Sequence, residues 1–221
     1  MSDSRQVILD RVATATATHA TTAEQIAAEA DALLPGDGVI QPAFDDLSDR
    51  EKFIERTTSE RLTATVDEVG DWQAAAAAVR NYIVRNNIPL DVAMPPTERL
   101  SALDWGDVTY HHDIAPDELA ALGVADYAIA ETGTLVFTSR PDSPTLFNYL
   151  ALHHIVMVEG RHLLRYMEDY WRLVREAGNV HPRNINFITG TSGTADIEAQ
   201  NTRGAHGPRF LHIVLVGAGG K

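Results

Sequence analysis

The chain has 221 residues, 44% of them hydrophobic and 22% charged, and contains no cysteine; that length suits one sizeable α/β core with a helical extension. Its 31 acidic against 18 basic residues give a net charge of -13, which repels phosphate backbones and makes nucleic acid an unsuitable partner. Without thiols there is no disulfide, no thiolate zinc site, no cysteine nucleophile and no iron–sulfur cluster ligated by this chain in the usual way.

No apolar run reaches the roughly 18 residues a membrane span needs. The opening "MSDSRQVILDRV" has no basic segment leading into an apolar stretch, so a soluble, cytoplasmic protein without a membrane span is expected. The first 34 residues, rich in Ala and Thr, read as weakly amphipathic helix ended by Pro35-Gly36. "REKFIERTTSERL" reads as a further helix. "DWQAAAAAVRNYIVRNN" is a firmer one, with Asp71 as N-cap and an alanine run of maximal helix propensity. "IPLDVAMP" and "GDVTYHH" read as short strands, the first bounded by Pro89 and Pro95.

From Gly123 onward the strand pattern sharpens through "VADYAIAE", "GTLVFTS", "HHIVMVE", "NINFITG" and "RFLHIVLV". Glu131 to Thr134 leaves only a tight turn between the first two, which predicts a hairpin. The continuously apolar "IVMV" and "HIVLV" predict central strands covered on both faces. "RHLLRYMEDYWRLVREAG" carries Leu163, Leu164, Met167, Trp171 and Val174 at helical spacing, with Gly178 as the stop. The expected fold is therefore α/β: a mixed, mainly parallel sheet flanked by helices, with an N-terminal helical extension. The expected organisation is an extension over 1–60, an α/β domain over 61–217 and a flexible tail over 218–221.

Three polar segments combine glycine with hydroxyls or a histidine: Glu131-Thr132-Gly133-Thr134, "TGTSGTADIE" from Thr189, and "RGAHGPR" from Arg203. If they lie beyond the carboxyl ends of strands they converge on a ligand crevice. Gly190, Thr191, Ser192, Gly193, Thr194 and Asp196 suit a strand running into a short helix whose N-terminus binds a carboxylate or phosphate; the same residue types also serve purely as caps. Glu131 at a strand end is a candidate nucleophile or acid–base group, or a turn carboxylate. His206, between Gly204 and Gly207, is a candidate for close approach to a ligand, and Arg209 follows it. The pairs His111-His112 and His153-His154 put adjacent side chains on opposite strand faces, so neither pair chelates a metal, and no metal site is expected.

Together "AIAETGTLVFTS", "FITGTSGTADIE" and "GAHGPRFLHIVLV" closely resemble the LUD-domain family of lactate utilization proteins, over about half of the chain from Gly123 to Val216. The resemblance implies a fold like the NagB/RpiA/CoA-transferase group. It also implies a role in oxidising L-lactate to pyruvate beside partner proteins that carry the iron–sulfur clusters, this chain holding no cofactor and binding a small carboxylate or phosphorylated ligand. Where the family commonly has Pro-Ser-Arg, this chain has Thr191-Ser192-Gly193, so a cation is lost there; Arg203, Arg209 or Arg183 compensates, or the site takes another ligand or none. Glu131-Thr132-Gly133 also resembles the glutamate nucleophile of CoA transferases, which leaves a stand-alone acyl-CoA or phosphosugar enzyme as an alternative. A non-catalytic protein that docks through its N-terminal helix is the other.

Overall fold

The computed structural model describes residues 4–17, 21–33, 41–44, 46–195 and 201–217; the expected tail and Asp196 lie outside them. The chain divides into two units, Met1–Gln41 and Pro42–Lys221. The first contains helices α1 (Ser4–Ala17) and α2 (Ala23–Leu33). α1 buries none of its residues, because its Ala/Thr composition provides no continuous apolar stripe.

The second unit begins well before the boundary expected after residue 60. Helix α3 (Asp49–Thr57) belongs to it, opened by a capping box between Ser48 and Glu51 and burying Phe53 completely. There follow β1 (Thr65–Val69), α4 (Trp72–Arg85), β2 (Asp91–Ala93), α5 (Glu98–Ser101), β3 (Thr109–His111), β4 (Ala120–Val124), β5 (Tyr127–Ile129) and β6 (Thr134–Thr138). After a 3₁₀ turn at Thr145–Asn148 come β7 (His153–Glu159), β8 (Leu163–Leu164), α6 (Met167–Glu176), β9 (Ile185–Thr189), β10 (Gly193–Ala195), β11 (Asn201–Arg203) and β12 (Phe210–Val216). Asp71 caps α4 as expected, its carboxylate accepting the Ala74 N–H at 2.8 Å.

Six strands form an all-parallel sheet in the order β1-β12-β7-β4-β2-β3. The two predicted central strands, β7 and β12, lie inside it and are buried along almost their whole length. A second sheet, β8-β5-β6-β9, holds the expected β5–β6 hairpin and pairs antiparallel except at β8. The fold is thus α/β with a mainly parallel sheet flanked by helices.

Alternation along the parallel strands builds two cores. Ile155, Met157, Val214 and Val216 face α4, with Val79 and Ile83. Val156, Val158, Ile213 and Leu215 face the second sheet and α3, with Leu135, Phe137 and Phe53. The helical stripe from Leu163 is shorter than expected: Leu163 and Leu164 pair with Ala128 and Ile129 in β8, and α6 starts only at Met167. On α6 it is Tyr170 that is buried, whereas Trp171 is 39% exposed. Gly193–Ala195 pairs antiparallel with Asn201–Arg203, so Thr194 faces Thr202 across a ladder; residues 196–200, where the expected short helix would continue, lie outside the described residues.

Candidate functional site

The three polar segments meet through the middle one. On one side, the Thr132, Thr134 and Thr189 hydroxyls form a chain with 2.6 Å between successive oxygens. Gly133 and Gly190 both close on Leu62; an ideal Cβ at Gly190 would lie 2.8 Å from Leu62 Cα. Thr191 is held by its N–H to Leu62 O at 3.1 Å, and its hydroxyl accepts from Arg203 at 2.7 Å. Arg203 also donates to Thr63 Oγ1 and to Glu60 O, so its guanidinium fastens the loop. On the other side, Ser192 N–H donates to Pro208 O at 2.9 Å and Gly204 N–H to Ser192 O at 3.0 Å. Gly207 packs directly on Ser192.

Between the Gly190–Gly193 loop and the His206–Pro208 loop lies a cavity of about 270 Å³. Its wall includes Asn148 and Tyr149 from the 3₁₀ turn, His154 from β7, Phe187 from β9 and Leu211 from β12. A shallower hollow of about 530 Å³ shares Tyr149, His206 and Gly207 with it and adds Asp117 and Glu118. The loop 203–209 precedes β12, so this site lies at the amino ends of the central strands β7 and β12. The Gly190–Gly193 loop does follow the carboxyl end of β9 as expected; the loop before β12 is the one that departs from that expectation.

Of the predicted residues, Gly190, Thr191, Ser192, Gly193, His206 and Gly207 line the cavity. Arg209 does not: its guanidinium lies over the Phe210 ring at 5.6 Å, and its Cβ packs against Gly204. Glu131, Thr132, Gly133 and Thr134 are not among the lining residues either. The Glu131 carboxylate sits at the start of α6, accepting the Met167 N–H at 3.4 Å, where the helix dipole favours a negative charge. Glu131→Gln is therefore expected to cost about 0.3–1 kcal/mol of stability, read as a small fall in the urea midpoint; a change of several kcal/mol would contradict this placement.

His154, read from sequence only as half of a non-chelating pair, also lines the cavity. Its neighbour His153 faces α4, bonding Tyr82 Oη through Nδ1 at 3.0 Å and stacking on Phe210. His154 points to the opposite face and is 1% exposed, with neither ring nitrogen hydrogen-bonded. Gly123 on β4 makes room for it: an ideal Cβ there would lie 2.8 Å from Nε2. Burial pushes the His154 pKa down to about 3, so the ring is neutral; burial likewise raises that of Tyr149. Among the described residues the lining carries no Lys, Arg, Asp or Glu. Among the described residues no group of three or more His, Asp or Glu side chains is arranged to hold a metal ion, and no helix is long and apolar enough to cross a membrane.

This is an α/β protein whose glycine loops border a small cavity lined by both polar and apolar residues. A family profile for the LUD domain matches residues 117–216, the stretch that supplies most of that cavity. Lactate utilization protein C of Geobacillus thermodenitrificans is 32% identical over 172 residues, covering 74% of this chain and 72% of the relative. The protein of the same name from Geobacillus kaustophilus is 32% identical over 126 residues, and the chain spans 52% of that relative's length. The crystal structure of a DUF162 family protein from Deinococcus radiodurans superposes with a TM-score of 0.57 at 19% identity, covering 77% of this chain and 99% of the other; that likeness concerns the fold. The chain belongs to the LUD-domain family.

Proposed function

We propose that this protein acts in L-lactate utilization by binding a small carboxylate of the lactate–pyruvate class in the cavity, as a cluster-free subunit whose electron transfer resides in iron–sulfur partner proteins. The observation that carries the reading is a buried imidazole without a hydrogen-bond partner at the wall of a small, partly open cavity bordered by the Gly190–Gly193 and His206–Pro208 loops. The relatives' name supplies the physiological setting. A volume of about 270 Å³ is below the range of drug-sized pockets, roughly 300–1,000 Å³, and suits a metabolite of a few heavy atoms. Ser192, Asn148 and the two histidines provide hydrogen-bonding groups for a carboxylate and a hydroxyl, while the Tyr149 hydroxyl is committed to Asn186 Oδ1 at 2.9 Å. The alternative of an acyl-transfer enzyme using Glu131 receives no support from this geometry, since that carboxylate is turned to the α6 N-terminus.

The test is growth on L-lactate of a bacterial host that lacks its own lactate utilization proteins, supplied with the partner genes and this chain. Ser192→Phe places a ring in the cavity and is expected to abolish growth, while Arg172→Ala, on an exposed side chain of α6, keeps it. Full growth with Ser192→Phe, in protein whose circular dichroism and melting match the parent, would remove the cavity from the function. Affinity purification of the tagged chain with iron quantitation tests the partners: co-eluting iron-bearing chains are expected.

A further inference from the structure

The cavity poses an electrostatic problem for the ligand class proposed above. A carboxylate moved into a site without a fixed cation loses its hydration and gains only neutral hydrogen bonds, which is costly. Protonating His154 alone is equally unfavourable, because its ring is enclosed by the uncharged Gly123, Phe137 and Leu211. Among the described residues the other titratable groups that line the cavity are Tyr149 and His206; the first is neutral at physiological pH, and the second is exposed and lines both hollows. Placed together, an anion and a proton solve each other's problem: a carboxylate beside an imidazolium forms a charge-assisted hydrogen bond in a low-dielectric site.

Resting on the carboxylate reading of this cavity, we propose that the site takes up a monocarboxylate together with one proton, His154 receiving the proton from solvent and returning an N–H to the bound carboxylate. His154 is then the residue that selects anions, with no arginine or lysine among the described lining residues. Neither ring nitrogen has a hydrogen-bond partner, and both are covered in the free state, so the carboxylate reaches the ring through a local shift of the lining that uncovers one nitrogen. The free ring is kept neutral by burial, with its pKa near 3; a bound anion reverses that preference.

Linkage fixes the sign. A complex that binds one more proton than the free protein loses affinity as pH rises, by up to about tenfold per pH unit between the free and bound pKa values of the ring. The experiment is isothermal titration of the full chain with sodium L-lactate and with sodium pyruvate at pH 5.5, 6.5 and 7.5, each in two buffers of different ionisation enthalpy. Uptake of about one proton, an affinity that falls with pH, and conversion of the His154 ¹⁵N imidazole signals to the doubly protonated form on binding are expected. His154→Gln, a neutral donor and acceptor that cannot take a proton, should bind more weakly and without pH dependence. Binding without proton uptake, uptake with His154 remaining neutral, or a wild-type pH profile in His154→Gln would each overturn the inference and leave the cavity reading intact. No binding of either carboxylate at any pH would overturn both.

Discussion

Gly190→Ala should unfold at a markedly lower urea concentration than the parent, with a loss of about 2–5 kcal/mol built from two sources. Gly190 has φ +81°, a left-handed conformation that costs an L-residue roughly 1–2 kcal/mol. Its new Cβ would also meet Leu62 Cα at 2.8 Å, with Leu62 Cβ and Cδ2 at 2.9 Å. That obstacle is backbone and cannot swing away, and overpacking of this kind adds roughly 1–3 kcal/mol. Gly178 is the internal comparison: it has φ +92° but nothing within 4 Å of an ideal Cβ. Gly178→Ala should therefore show only the conformational part, about 1–2 kcal/mol. Equal losses in the two variants would mean that the loop's seat on Leu62 contributes nothing. Against a total stability of typically 5–15 kcal/mol, the larger loss also loosens Thr191 and Ser192, so carboxylate binding should fall with it.

That seat on Leu62 shows where sequence reasoning reached and where it stopped. The β5–β6 hairpin was legible because apolar strands flank the interruption Glu131–Thr134, within which Gly133 adopts φ +68°. The central strands were legible because "IVMV" and "HIVLV" leave no polar face to expose to water. Asp71 was legible as a cap because its neighbours offer the helix no competing acceptor before an alanine run. What failed depended on partners distant in sequence. β1 and β4 are short, and "TVDEV" and "AALGV" acquire strand structure by pairing with β12 and β7. Leu163 and Leu164 satisfy a helical spacing equally well, and only their pairing with β5 decides for strand.

The site divides along the same line. The glycine- and hydroxyl-rich loops announced themselves by composition, yet composition did not show which loops share a cavity. Glu131 drew attention as a carboxylate at a strand end; the start of α6, 36 positions later, uses that charge. His154 carried a local signal in "LHHI": a histidine inside a continuously apolar strand must either find a partner or face a space where one can come. Gly123 is the matching signal on β4, since the facing position has no side chain where the imidazole lies. Neither residue points to the other until the parallel pairing of β4 with β7 sets Gly123 opposite Val156, beside His154.

Acid should destabilise the folded chain steeply and earlier than carboxylate titration alone would. Burial holds the pKa of His154 near 3 and that of His212 near 4, against an ordinary 6.5, and Asp67 beside His212 only partly offsets its desolvation. Burial lowers the His153 pKa as well. The unfolded chain therefore binds more protons than the folded one, so stability rises with pH across this window and is lost as pH falls from about 6.5 towards the folded values. Two such histidines give a limiting slope of about 2.7 kcal/mol per pH unit near pH 5. Glu51, Glu55 and Asp107, whose pKa values are lowered chiefly by side-chain hydrogen bonds to Ser48, Lys52 and Arg80, contribute only further down, within the ordinary carboxylate range. Urea unfolding at pH 7.5, 6.5, 5.5 and 5.0 reads the slope, and His154→Gln should remove about one proton from it; a flat profile between pH 6.5 and 5.0 would contradict the burial of these rings. L-lactate adds a second discriminator. If His154 takes a proton from solvent when the carboxylate binds, ligand stabilisation grows as pH falls, and saturating lactate should flatten the acid limb in the parent while leaving that of His154→Gln unchanged in shape.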